Sequence, residues 1–312
     1  MKSCIVCCLA FLWLMPVSAQ KLSPETRREL LKKEDSLKLE APKMLVSPNP
    51  AERLQVDSIL TRTLVRALRM PYSFYYPFDS LFTISKLYAP DSSFRVFTWQ
   101  VPINEDLVRQ HGAIQVNTPD GSLKLFPLID KSDVVDNMED SILNHQKWMG
   151  AVYYKLLMHR LGERKIYTLL GYDENDSRSN KKIIEVLEFV QGEPRFGARI
   201  FRFPNNSLKA STPARYIMEF KKDAGPRLTY DDELGMIIME HLVSETNEPA
   251  KKYTLVGDGD YEGFRWANGK WVYVSKIFNE VTPEGKAPVP QPIRDDKGNI
   301  DESKLKVTEE KP

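Results

Sequence analysis

Cysteine is almost missing from this chain: there are three, and all lie within the first eight residues, at Cys4, Cys7 and Cys8. Beyond Cys8 the protein has no disulfide, no thiol nucleophile and no thiolate metal site. Histidine is scarce too: His111, His145, His159 and His241 are the four in 312 residues, and no two share a metal-binding spacing. The nucleophile elbow of serine hydrolases, the phosphate-binding glycine loops and the H-E-x-x-H pair do not occur. Neither sign of charge dominates, with 44 basic against 43 acidic residues, so the chain lacks the electrostatic footprint of a nucleic-acid binder. No apolar run after the first nineteen residues reaches membrane-spanning length.

Those nineteen residues have the organisation of a secretory leader. Lys2 supplies the positive start, residues 4–15 form an apolar run, Pro16 breaks it, and Val17, Ser18 and Ala19 give a small-residue cleavage site. The expectation is an exported chain that begins at Gln20 and resides in the periplasm or at the cell surface, with no transmembrane span after cleavage. A chain exported without disulfides must be held by an ordinary apolar core, which about 290 residues can build.

The remainder divides by composition into residues 20–70, helical; 71–282, antiparallel β; and 283–312, a tail rich in proline and charge that is expected to be disordered. Ser23-Pro24-Glu25 and Asn49-Pro50-Ala51-Glu52 are helix starts, the second with Glu52 placed for a capping box. Val56, Ile59, Leu60, Leu64, Val65 and Leu68 recur at helical spacing, and Pro71 ends the pattern. Arg62, Arg66 and Arg69 read as its solvated face. The aromatic-rich segment 72–88 fits a seal between helices and sheet better than a sugar-stacking platform.

Strands begin at Phe94. Asp120-Gly121 and Asn268-Gly269 are hairpin turn pairs, with Trp266 and Trp271 placed to pack across the second. Residues 147–203 contain four strands joined by turns at Gly162, at 173–180 and at 192–194. Apolar residues occupy both parities there: Trp148, Val152, Tyr154, Leu156 and Met158 on one, Met149, Ala151, Tyr153 and Leu157 on the other. Such strands are covered on both faces, by a second sheet, by barrel closure or by the helices. The fold class is therefore mainly β: a large antiparallel meander, sandwich or barrel-like, with N-terminal helices packed on it.

Two acidic clusters are the candidate sites. Asp173, Asn175 and Asp176 open like a calcium loop, but Arg178 stands where the glycine is needed and Ile184 where the final glutamate is needed. The competing reading is an Asx-rich turn that caps its own backbone. Asp258, Asp260 and Glu262, in GDGDYEG, alternate as if to project from one side of an extended segment, as a cation site or an acid–base pair; a glycine-dependent turn needs the same residues. No cofactor is implied; Ca2+ is the one candidate ion.

YTLLGYDEND, KKIIEVLEF, RLTYDDELGMIIMEHL and GDGDYEGFRWANGKWVYV together resemble a set of exported proteins from Bacteroidota-type bacteria to which no function is assigned. The resemblance covers most of residues 145–275. It implies bacterial origin and export, and no activity, cofactor or catalytic residue. No catalytic motif is complete, so the sequence favours a non-catalytic exported protein, binding or structural, with an envelope protein or glycan as partner. A carboxylate-dependent hydrolase of an envelope or glycan substrate and a calcium-dependent binding module are the alternatives.

Overall fold

A computed structural model describes residues 22–204 and 212–278. The leader, the whole C-terminal tail and residues 205–211 lie outside the described residues. Three helices come first: α1 (Pro24–Glu40), α2 (Lys43–Val46) and α3 (Pro50–Leu68). Ser23 Oγ caps α1 by accepting the Thr26 N–H at 3.1 Å, and Asn49 Oδ1 caps α3 by accepting the Ala51 N–H at 2.9 Å. The capping box at Glu52 is replaced by a relay: its carboxylate accepts from the Ser47 hydroxyl at 2.5 Å, and that oxygen accepts the Asn49 N–H at 3.2 Å. Among the described residues no helix is long and apolar enough to cross a membrane.

The β region is three sheets of four, six and five strands, each built on a four-stranded antiparallel meander. The first sheet is β1 (Ser85–Tyr88), β2 (Phe94–Pro102), β3 (Val108–Val116) and β4 (Lys124–Ile129), in that order. The second runs β5 (Leu143–Asn144), β9 (Glu193–Phe196), β8 (Ser179–Val190), β7 (Arg164–Asp173), β6 (Val152–Leu161), with β11 (Tyr216–Lys221) paired to the first half of β8. The third runs β10 (Phe201–Arg202), β15 (Lys270–Val274), β14 (Leu255–Ala267), β13 (Met236–Ser244), β12 (Leu228–Asp231). The short β10–β15 pair is parallel; the other strand pairs are antiparallel. None of the three sheets closes on itself, so the barrel alternative is not realised.

Three apolar cores separate four layers. Leu30, Leu60 and Leu64 of the helices pack on Phe97, Trp99 and Val101 of β2. The other face of the first sheet, through Val96 and Ile114, meets Leu169, Ile183 and Leu187 of the second. The opposite face of the second, through Ile166, Leu170, Ile184 and Val186, meets Ile237, Met239, Phe264 and Trp271 of the third. The middle sheet thus has no wet face, which is why β7 and β8 read as nearly unbroken apolar runs. The chain through Ile277 forms one compact unit, and the division from the next falls before Phe278.

Several local expectations shift. The first strand of the 147–203 segment starts at Val152, because Gly150 turns the chain at φ +74°. A bulge between Tyr153 and Lys155 then breaks the simple parity of β6. The aromatic segment ends in a strand of its own, β1. Asp120-Gly121 lies in a longer loop, since the β3–β4 ladder ends at the pair Val116 and Lys124. Asn268-Gly269 does form a two-residue turn, with φ of 49° and 75°, and Trp266 and Trp271 pack edge to face across it at 5.2 Å.

Candidate functional site

The loop after β7 uses its acids on its own backbone. Asp173 Oδ1 accepts the Asn175 N–H at 2.9 Å and the Gln110 side-chain amide at 2.5 Å. Asp176 Oδ1 accepts the N–H groups of Arg178 and Ser179, both at 2.8 Å. This is the Asx-turn arrangement. Burial raises the Asp173 carboxyl above its ordinary value, and the bonds from Asn175 and Gln110 only partly offset it. At Asp176 burial also works upward, but the two backbone N–H groups outweigh it and hold the carboxyl low. Asn175, at φ +50°, accepts from Lys181 Nζ at 2.6 Å and donates to Ser179 Oγ at 2.7 Å. Ser179 Oγ donates in turn to Glu219 of β11 at 2.7 Å.

The segment GDGDYEG is not a turn between strands. It lies inside β14, where Tyr261 pairs with Glu240 but Gly257 pairs with Leu242, so that Asp258, Gly259 and Asp260 bulge opposite His241. Gly259 has φ +87°, the conformation the bulge requires. At Gly257 a Cβ would lie 2.1 Å from the Glu240 carboxylate, which folds over that position. The bulge breaks the alternation of the three acids. Asp258 Oδ2 lies 2.8 Å from His241 Nδ1, and its Oδ1 accepts the Asp260 N–H at 3.0 Å. Burial works to raise Asp258, but the His241 contact prevails and holds it below the usual range. Asp260 is exposed, whereas Glu262 is buried and accepts a short bond from the Tyr273 hydroxyl. Among the described residues no three His, Cys, Asp or Glu side chains gather as they would around a metal ion.

What joins the neighbourhoods of the two clusters is a groove of about 630 Å³ along β11. One side carries Lys181, Ile217 and Glu219; the other carries Tyr216, Met218 and Glu262, with His241 at the bulge. Residues of both parities of β11 therefore line it, so the groove follows the strand's edge rather than one face. On the side away from the groove β11 pairs with β8 from Tyr216 opposite Ile184 to Lys221 opposite Ser179. The Lys222 N–H bonds Arg178 O at 2.8 Å, which fixes the phase of the ladder. Even-numbered residues of β11 bond to β8, and the backbone groups of Ile217 and Glu219 point outward into the groove. Glu262 is the one predicted site residue that lines it; Asp258 and Asn175 reach it through His241 and Lys181.

Sequence reasoning missed Tyr216, Ile217 and Glu219. No motif marks a strand edge, because edge status depends on what the rest of the chain leaves uncovered. Comparison of the chain with family models, with curated proteins and with solved structures finds no match in any of the three.

Proposed function

We propose that this protein is exported and acts as a non-catalytic binding protein of the bacterial envelope, taking its partner in the groove along β11. Export is supported by the residue 1–19 pattern, by a chain without cysteine beyond Cys8 and by the resemblance to exported Bacteroidota-type proteins. The observation that carries the binding reading is the groove itself. It brings side chains from both faces of β11, and His241 from opposite the β14 bulge, around one concave surface, whereas Asp173 and Asp176 are engaged with the backbone of their own loop.

The test has two parts. Fractionation of cells making the full chain should place it outside the cytoplasm with Gln20 at its N-terminus; recovery of an intact Met1 in the cytoplasm would overturn export. The chain from Gln20 to Pro312 should bind members of peptide or glycan arrays, and Glu219→Ala and His241→Ala should weaken the same hits at least about tenfold. Arrays without hits, or hits indifferent to both substitutions, would overturn the groove.

A further inference from the structure

Resting on the groove as a binding site, we infer that its ligand is an extended polypeptide segment that adds to the second sheet as a strand beside β11, with basic side chains toward the glutamates. Three observations carry this.

The first is the backbone. In an antiparallel ladder alternate residues point their N–H and C=O groups to opposite neighbours. With Lys222 bonded to Arg178, the groups of Ile217 and Glu219 are those turned from β8. Among the described residues no backbone bond outside the ladder involves them. An edge of this kind is the template for strand addition. The ladder carries on to Lys222 at one end. At the other the N–H groups of Ala214 and Arg215 bond Glu139 O at 2.8 and 3.2 Å, so the open stretch is bounded.

The second is the wall. Side chains of both parities of β11 line the groove, half-buried Ile217 on one face and Met218, rooted in the core against the third sheet, on the other. These are the two faces its own alternating side chains would present.

The third is charge. Among the described residues that line the groove, four are glutamates, Glu139, Glu219, Glu240 and Glu262, against two lysines, Lys181 and Lys252. An acidic groove around a backbone template selects a basic extended peptide and disfavours an acidic one.

The experiment titrates the chain from Gln20 to Pro312 into fluorescent ten-residue peptides that alternate valine or threonine with either lysine or glutamate. The lysine series should bind by anisotropy and the glutamate series at least about tenfold more weakly, with Glu219→Lys reversing the order. N-methylation of the peptide at alternate residues should abolish binding in one parity and change it less than about twofold in the other, since only one set of N–H groups faces β11. Ile217→Pro, which removes an outward N–H and leaves the β8 ladder intact, should also abolish binding. N-methylation that is harmless in both parities would overturn strand addition. If Glu219→Ala still weakened array hits in that case, the groove would stand as a site read through side chains. Failure of every peptide and every array member would remove both proposals. A concentration-dependent dimer lost in Ile217→Pro would assign the edge to a second copy of the chain and overturn the peptide.

Discussion

At the scale of single residues, the chain spends its buried charges on its own architecture. Arg95 is fully buried, and among the described residues no carboxylate pairs with it. Its guanidinium donates to Gln115 Oε1 at 2.8 Å, Tyr76 O at 2.6 Å, Ser73 O at 2.8 Å and the Tyr88 hydroxyl at 2.7 Å. The rings of Phe74, Phe78, Tyr88 and Phe97 surround it at 4.7–5.6 Å. Burial lowers its pKa to about 10, still charged at neutral pH. The aromatic segment is therefore a seal built around a cation. Arg95→Ala strands two carbonyls and a glutamine and should cost about 3–5 kcal/mol in urea unfolding, with Arg95→Met recovering part through packing alone.

Asp173 gives a second prediction at this scale. Its folded pKa is raised above the unfolded value, because burial disfavours the charged form. The stability it contributes is present below the ordinary aspartate range and is lost as pH rises through its folded value. Asp173→Asn keeps an acceptor for Asn175 and Gln110 and removes the buried charge. It should melt higher than wild type at pH 7, on the order of 2 °C, with the gap closing as pH falls toward 4. Asp173 Oδ1 and Asp176 Oδ1 each already accept two donors. Millimolar Ca2+ should accordingly move the melting temperature by less than about 1 °C, and chelator should not move it; a larger calcium-dependent rise would revive the calcium loop.

At the scale of elements, glycine placement in β14 separates two physical needs. Gly259 supplies φ +87°, which an L side chain adopts only with strain. Gly257 leaves room for Glu240, whose carboxylate accepts the Arg227 N–H at 3.0 Å. Gly259→Ala should cost about 1 kcal/mol and disturb the His241–Asp258 contact, seen as a shift in the His241 ring resonances. Gly257→Ala should cost less, because the added methyl meets only the mobile end of the Glu240 side chain, which can swing aside and leave the exposed Arg227 N–H to water. The β13–β14 hairpin would then be the first region to lose amide protection in hydrogen exchange.

At the scale of the whole molecule, the second sheet is the shared wall of two cores. Trp271, fully buried in the third sheet, donates its indole N–H to Thr168 Oγ1 of β7 at 3.0 Å. His159 of β6 stacks on Trp266 at 4.3 Å, and burial holds its pKa below the ordinary histidine value. Trp271→Phe leaves the Thr168 hydroxyl without that donor and opens space between two sheets. It should cost about 2–4 kcal/mol and lower one transition rather than split it. Separate transitions, by tryptophan fluorescence and by far-ultraviolet circular dichroism, would mean that the sheets unfold independently.

The sequence by itself determined the caps at Ser23 and Asn49, the β-rich class, the turns at Gly162 and Asn268-Gly269, and the two-sided burial of the 147–203 strands. Each of these is set within a few residues, by backbone conformation or by the spacing of apolar side chains. Partners were left to the tertiary structure: which sheet covers which face, that three meanders stack instead of closing, that Asp258, Gly259 and Asp260 bulge toward His241, and that among the described residues no strand pairs with the groove side of β11. Periodicity reports that a face is buried but carries no record of what buries it, and an unpaired strand edge exists only once every other strand has found its place.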